Sequence, residues 1–174
     1  MYILTITKTP PKFLERFSSS PYSNHAGFAQ LLTVFMHYSP IHLFFSVISV
    51  YNLLDMLMHT HHVNGMNLYD CTALFLTAGI NASLASNLIK AFSRIPTASV
   101  GASGAICGLA GALCTLNPNL QLTFPIIDQL IPVQFSAGSF LQCATFVELL
   151  GVLFFRYRSS IDHAAHLGGF LYGM

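Results

Sequence analysis

Two polar side chains stand out because apolar sequence surrounds them. Ser103 lies in Val100-Gly101-Ala102-Ser103-Gly104-Ala105, and His166 in Asp162-His163-Ala164-Ala165-His166-Leu167-Gly168-Gly169. Each stands at the mouth of a hydrophobic helical run. Polar and ionisable groups inside a bilayer are costly unless something satisfies or uses them, so such groups read as functional. A serine hydroxyl alone is a weak nucleophile; an imidazole within hydrogen-bond reach takes its proton and activates it. The first amides of a helix lack intrahelical acceptors, so Ser103 would sit beside donors able to hold an oxyanion. The competing reading of Ser103 is a member of a Ser/Gly/Ala helix-packing stripe, common in membranes. Gly101-Ala102-Ser103-Gly104 is not the G-x-S-x-G elbow of soluble hydrolases.

The elements that must position this pair are membrane helices. The chain has 174 residues, 53% of them hydrophobic and 7% charged, against about 25% charged in an ordinary soluble domain. Mean hydropathy is +0.61. A net charge of +1 offers no basic patch, which excludes nucleic-acid binding. Five apolar segments predict an all-α, polytopic helical bundle: Leu31 to Met58, Tyr69 to Phe92, Ser103 to Leu116, Ser136 to Phe155, and Ile161 to the last residue, Met174. A span needs about 20 helical residues. The third segment is short, so its start lies below the membrane surface with Gly101-Ala102 as non-helical backbone. Such backbone is tolerated at depth only inside protein or beside a cavity. The fifth stops early, and the chain reads as truncated there. Residues 1–30 read as an N-terminal loop or partial first-loop region. Lys8, Lys12, Arg16 and the serines lend it a transit-peptide character, against which Pro10, Pro11 and Glu15 count. Residues 31–174 read as one transmembrane domain. Pro118, Pro125 and Pro132 make Asn117 to Phe135 a re-entrant or surface loop with a short extended piece. Pro40 marks the start of a regular helix, which places His37 and His42 near one membrane face.

Alternating the loops puts every one of the seven basic residues on one side: Lys8, Lys12 and Arg16, then Lys90 and Arg94, then Arg156 and Arg158. By the positive-inside rule this side, here side A, faces the cytosol or the mitochondrial matrix. Ser103, His166 and His42 all stand where helices enter from side A. Gly104-x-x-x-Gly108 on the serine helix and Gly169-x-x-x-Gly173 on the histidine helix are close-packing motifs. Two helices packed through them could bring Ser103 to His166.

Other candidates carry plainer readings. His42 could donate to an oxyanion, and His37 is satisfied by a loop carbonyl. Asp162 and His163 cap a helix start. His59, His61 and His62 lack a fourth zinc ligand nearby, so no metal is expected. Cys71, Cys107, Cys114 and Cys143 have no C-x-x-C spacing and read as buried small hydrophobes. Glu148 must be protonated or face a polar interior; a dyad demands no third member. Asn81-Ala82-Ser83 matches a glycosylation sequon but lies mid-span.

Gly101-Ala102-Ser103-Gly104 opening a helix, followed two helices later by Ala165-His166-Leu167-Gly168-Gly169 and Gly173, resembles the rhomboid intramembrane serine proteases. His37-Tyr38-Ser39-Pro40-Ile41-His42 is similar to the start of that family's second core helix. Gly101 to Ile106 and Asp162 to Gly169 resemble, more narrowly, its mitochondrial presenilin-associated rhomboid-like branch. The resemblance runs from about Phe13 to the end. It implies Ser103 as nucleophile and His166 as general base, with His42, the Ser103 amide, Gly101 and Ser46 around an oxyanion hole. It implies a multi-pass protein of the mitochondrial inner membrane, without cofactor or metal, that cleaves single-span membrane proteins in the lipid bilayer near the surface; no oligomeric state follows. Three departures stand beside it. Ser46 occupies the place where the family usually has asparagine, and Cys107 the place of a bacterial tyrosine. The first of six core helices is not seen. The resulting expectation is an intramembrane serine endopeptidase using Ser103 and His166. The alternative is a catalytically impaired rhomboid-like protein that binds transmembrane helices.

Overall fold

The computed structural model describes residues 2–4, 17–22, 26–59, 66–122, 135–155, 157 and 159–174. Local chemistry sets the helix starts. Helix α1 (Ala26–Leu32) runs into a single 3-10 turn, Thr33–Phe35. Helix α2 (Pro40–His59) begins at proline, where no amide hydrogen is needed; the Ser39 hydroxyl accepts from the His42 amide at 3.2 Å. Helix α3 (Leu68–Ser93) is capped by Asn67, whose side chain accepts from the Asp70 amide, and ends at Arg94 in the left-handed conformation, φ 55°. Helix α4 (Ser103–Leu116) follows a short strand. Helix α5 (Ala137–Leu150) is capped by Ser136 and extended by a π-helical turn, Gly151–Phe155. Helix α6 (His163–Gly173) is capped by Asp162, which accepts from the Ala165 amide at 3.1 Å.

These bounds match the expected segments closely, with one division. The first apolar stretch is two helices, broken before Pro40. Two small antiparallel pairs complete the described residues. Strand β1 (Tyr2–Leu4) pairs with β2 (Ala98–Val100), Ile3 facing Ser99. Strands β3 (Gln121–Leu122) and β4 (Phe135–Ser136) pair at the ends of the expected loop, the extended piece anticipated there; residues 123–134 of that loop lie outside the described residues.

Three helices, α2, α3 and α5 with its π turn, are long and apolar enough to cross a membrane. Their outward faces carry Phe44, Phe45, Ile48, Leu88, Phe92, Phe146 and Phe154, all exposed. In water such a surface would be an aggregation hazard; against lipid it is the required solvent face. Cys143 also lies on an exposed surface, unlike the other cysteines, so it is not a core residue as expected. Helix α4 is different. Its 14 residues span about 21 Å at 1.5 Å per residue, short of a bilayer's roughly 30 Å core. It is the central helix, with Gly104, Ala105, Gly108, Leu109 and Ala112 buried. The chain leading into it is non-helical and equally buried: Ser99 and Val100 are 0% exposed and Ala102 3%.

Small residues hold α3, α4 and α6 together. A Cβ on Gly104 would overlap Ala82 of α3, and one on Gly108 would overlap Ala78. A Cβ on Gly169 would collide with the Gly104 carbonyl oxygen, and one on Gly173 with the Gly108 carbonyl oxygen. The backbones of α4 and α6 therefore touch at two successive turns. Leu57 of α2 packs with Cys71, Leu109 and Leu113 on one flank. Ala137 and Leu141 of α5 pack with Cys114 and Phe170 on the other.

Candidate active site

Strand β2 delivers the chain to α4 through Gly101, at φ 119°, a conformation that favours glycine. The Gly101 amide donates to the Thr33 carbonyl at 2.9 Å. Its amide is therefore engaged in the turn. Ser103 follows as the first residue of α4. No side chain caps this helix, so its opening amides keep the donors that a cap would have taken.

The glycine contacts between α4 and α6 set the distance across the site. The Ser103 hydroxyl lies 2.8 Å from His166 Nε2. His166 Nδ1 lies 2.9 Å from Glu148 Oε1 on α5. The other carboxylate oxygen, Oε2, lies 2.6 Å from His163 Nδ1, and His163 Nε2 reaches the Ser159 hydroxyl at 3.1 Å. Glu148 is thus neither a lone carboxylate nor lipid-facing. His163 does not cap α6; Asp162 alone does so.

His42 stands in the first turn of α2, edge-on to His37 with ring centroids 5.0 Å apart. The Tyr38 amide donates weakly to His42 Nδ1, at 3.5 Å. An accepting Nδ1 leaves the ring hydrogen on Nε2, which makes that nitrogen a donor. His37 Nδ1 donates to the carbonyl of Phe35, the last residue of the 3-10 turn, at 3.2 Å, while its buried Nε2 has no hydrogen-bond partner among the described residues. Burial holds the His37 imidazole below its usual range, partly offset by that bond. Ser46, one turn after His42, is 5% exposed and makes no side-chain hydrogen bond among the described residues. His59 bonds the Asp55 carbonyl at 2.9 Å, while His61 and His62 lie outside the described residues. Among the described residues no group of three side chains is placed to hold a metal.

A buried polar knot fixes the entry of α6. Lys90 Nζ lies 2.9 Å from Asp162 Oδ2, which also accepts from Ser86 at 2.5 Å and from Ser99; Lys90 reaches Ser99 as well. Burial alone would raise the Asp162 carboxyl, but the Lys90 ammonium and the two hydroxyls hold it below the usual carboxylate range. Lys90 is 4% exposed. One of the seven side-A cations is therefore an internal counter-ion, which sequence counting could not distinguish from a surface charge.

A multi-helix bundle with buried small-residue seams, an exposed apolar belt and a serine–histidine contact at the start of its short central helix defines a class of polytopic membrane protein. Residues 26–174 match the family model described as Rhomboid domain, and the chain belongs to the rhomboid family. It is 34% identical over 159 residues to presenilin-associated rhomboid-like protein A, mitochondrial, of Danio rerio, covering 91% of this chain and 39% of that protein. It is 31% identical over 160 residues to the presenilin-associated rhomboid-like protein, mitochondrial, of Rattus norvegicus, and 30% identical over 160 residues to that of Mus musculus, with the same coverage of each. The chain thus spans about two-fifths of the length of these curated relatives. No solved structure matches it.

Proposed function

We propose that this chain is the core of an intramembrane serine endopeptidase that cuts single-span membrane proteins near the side-A surface. The observation that carries the reading is the 2.8 Å contact between the Ser103 hydroxyl and His166 Nε2. His166 takes the Ser103 proton as the hydroxyl oxygen bonds to the scissile carbonyl carbon. The resulting oxyanion is held by the opening amides of α4 and by His42 Nε2–H. His166 returns the proton to the leaving amine as the C–N bond breaks. Water, deprotonated by the same imidazole, then releases the acyl group from Ser103. No metal or cofactor enters any of these steps. The lipid bilayer is the protein's medium, and the substrate's own helix approaches through it.

The relatives' mitochondrial names and the one-sided basic residues support the inner mitochondrial membrane as its site, with side A toward the matrix. The rival reading, a catalytically impaired rhomboid-like protein that holds transmembrane helices without cutting them, draws on Ser46. A serine is shorter than the family's asparagine, and losing one oxyanion donor costs about 10²–10³ in rate. Labelling the purified full-length protein with a fluorophosphonate separates the two. Ser103→Ala and His166→Ala abolish labelling if the dyad is competent, and Ser46→Asn preserves or raises it. Undiminished labelling of Ser103→Ala removes the proposed nucleophile.

A further inference from the structure

We propose that Glu148 is a positioning residue for His166, which makes the site a Ser103–His166–Glu148 triad tethered at its far end by His163. The inference rests on the protease reading above. Glu148 lies in a helix that with its π turn forms a 19-residue apolar span, where a carboxylate is costly and its retention calls for a use. It is turned inward, and both of its oxygens are engaged by imidazoles from α6. His163 and His166 are three residues apart, so they share a helical face, and both present Nδ1 to the carboxylate.

This geometry selects a tautomer. A carboxylate can only accept, so each Nδ1 must carry its hydrogen. His166 Nε2 is then left with the lone pair that faces the Ser103 hydroxyl, which is the form that can act as a base. The opposite tautomer would put a hydrogen on Nε2 and could not take the serine proton. As the proton moves from Ser103 to Nε2, the imidazolium forms 2.9 Å from the carboxylate, which stabilises it while the Nδ1 hydrogen stays on His166. Glu148 itself neither gains nor loses a proton.

Two further features hold the carboxylate in place. A Cβ on Gly151 would overlap the His163 ring, so glycine at this position opens the seat from which His163 reaches Glu148. The turn that begins there, Gly151–Phe155, is π-helical, a rare geometry that is frequent at functional sites.

The test compares labelling rate with labelled fraction. Purified full-length wild type, Glu148→Gln and Glu148→Asp are treated with a fluorophosphonate, and their thermal midpoints are recorded. Glutamine keeps the size but can offer Nδ1 a donor, which favours the wrong tautomer. Glu148→Gln is expected to lower the labelling rate constant by up to about 10⁴-fold, the loss seen when an orienting carboxylate becomes an amide. Its final labelled fraction and thermal midpoint should stay near wild type, and Glu148→Asp should recover part of the rate. A Glu148→Gln rate equal to wild type, or a loss confined to labelled fraction, overturns the proposal and leaves the Ser103–His166 reading standing. Absence of labelling in wild type itself removes the protease reading and this role together. Should Glu148→Gln not fold, His163→Asn loosens only the far tether and should slow labelling several-fold; an unchanged rate there overturns the tethered triad.

Discussion

At the residue scale, the Lys90–Asp162 pair has two jobs. Asp162 caps α6 through its Oδ1 and meets Lys90, Ser86 and Ser99 through its Oδ2. It stands four residues before His166, whose amide donates to the Asp162 carbonyl at 3.1 Å, so the knot sets where the imidazole begins. Removing one partner of a buried ion pair leaves an uncompensated charge and costs about 3–5 kcal/mol. Lys90→Met is therefore expected to lower the thermal midpoint sharply. Asp162→Asn added to it should restore part of the loss, because the remaining carboxamide carries no charge and still offers an oxygen to the Ala165 amide. Thermal melts of the two single variants and the double variant in one detergent check this, and strict additivity would refute the pairing. The pH dependence has a definite sign. The folded carboxyl lies below its unfolded value, so its contribution is complete above the ordinary aspartate range, about pH 3.9, and is lost only as pH falls toward the lowered folded value.

At the element scale, the geometry depends on how closely α4 and α6 approach. Gly169 and Gly173 lie against carbonyl oxygens of α4, where a Cβ has no room and the obstacle is backbone. Gly169→Ala must push the helices apart. Overpacking of this kind costs about 1–3 kcal/mol, and it should widen the Ser103–His166 gap enough to suppress labelling by a serine-directed probe. Gly138 is the internal comparison. A Cβ there meets the Pro118 carbonyl oxygen at 3.3 Å, so Gly138→Ala should keep most of the activity and stability. Equal labelling of the two alanine variants would contradict the seam. Much of this level was legible in the sequence. Pro40 announced the start of α2, Ser103 and Leu116 bounded α4, and the paired glycines pointed to a close seam. The bonds that Glu148, His163 and Lys90 make across helices were not legible. Hydrophobic periodicity locates a residue on its own helix but not the helix that it faces, and these bonds all cross from one element to another.

At the scale of the whole molecule, orientation decides which aqueous compartment reaches the site. Ser103, His166, Asp162 and Lys90 all cluster at the end of the bundle where α3 finishes and α4 and α6 begin. The α5–α6 turn lies at the same end, with Tyr157 65% exposed, while Tyr69, at the start of α3, marks the other end and is 86% exposed. With Lys90 withdrawn into the core, six of the seven cations remain as candidates for the positive-inside signal. Six cations on one side still set a strong bias, since short loops rich in Lys and Arg are retained on the inner face. The expected arrangement has the Tyr157 end in the matrix and the Tyr69 end in the intermembrane space. A cysteine introduced at either position in a Cys143→Ser background, which removes the exposed native thiol, reports it when mitoplasts are treated with a membrane-impermeant maleimide. Tyr69→Cys should label in intact mitoplasts, and Tyr157→Cys only after the inner membrane is opened. The reverse pattern would place Ser103 on the intermembrane-space side and require substrates to present their scissile bond from there.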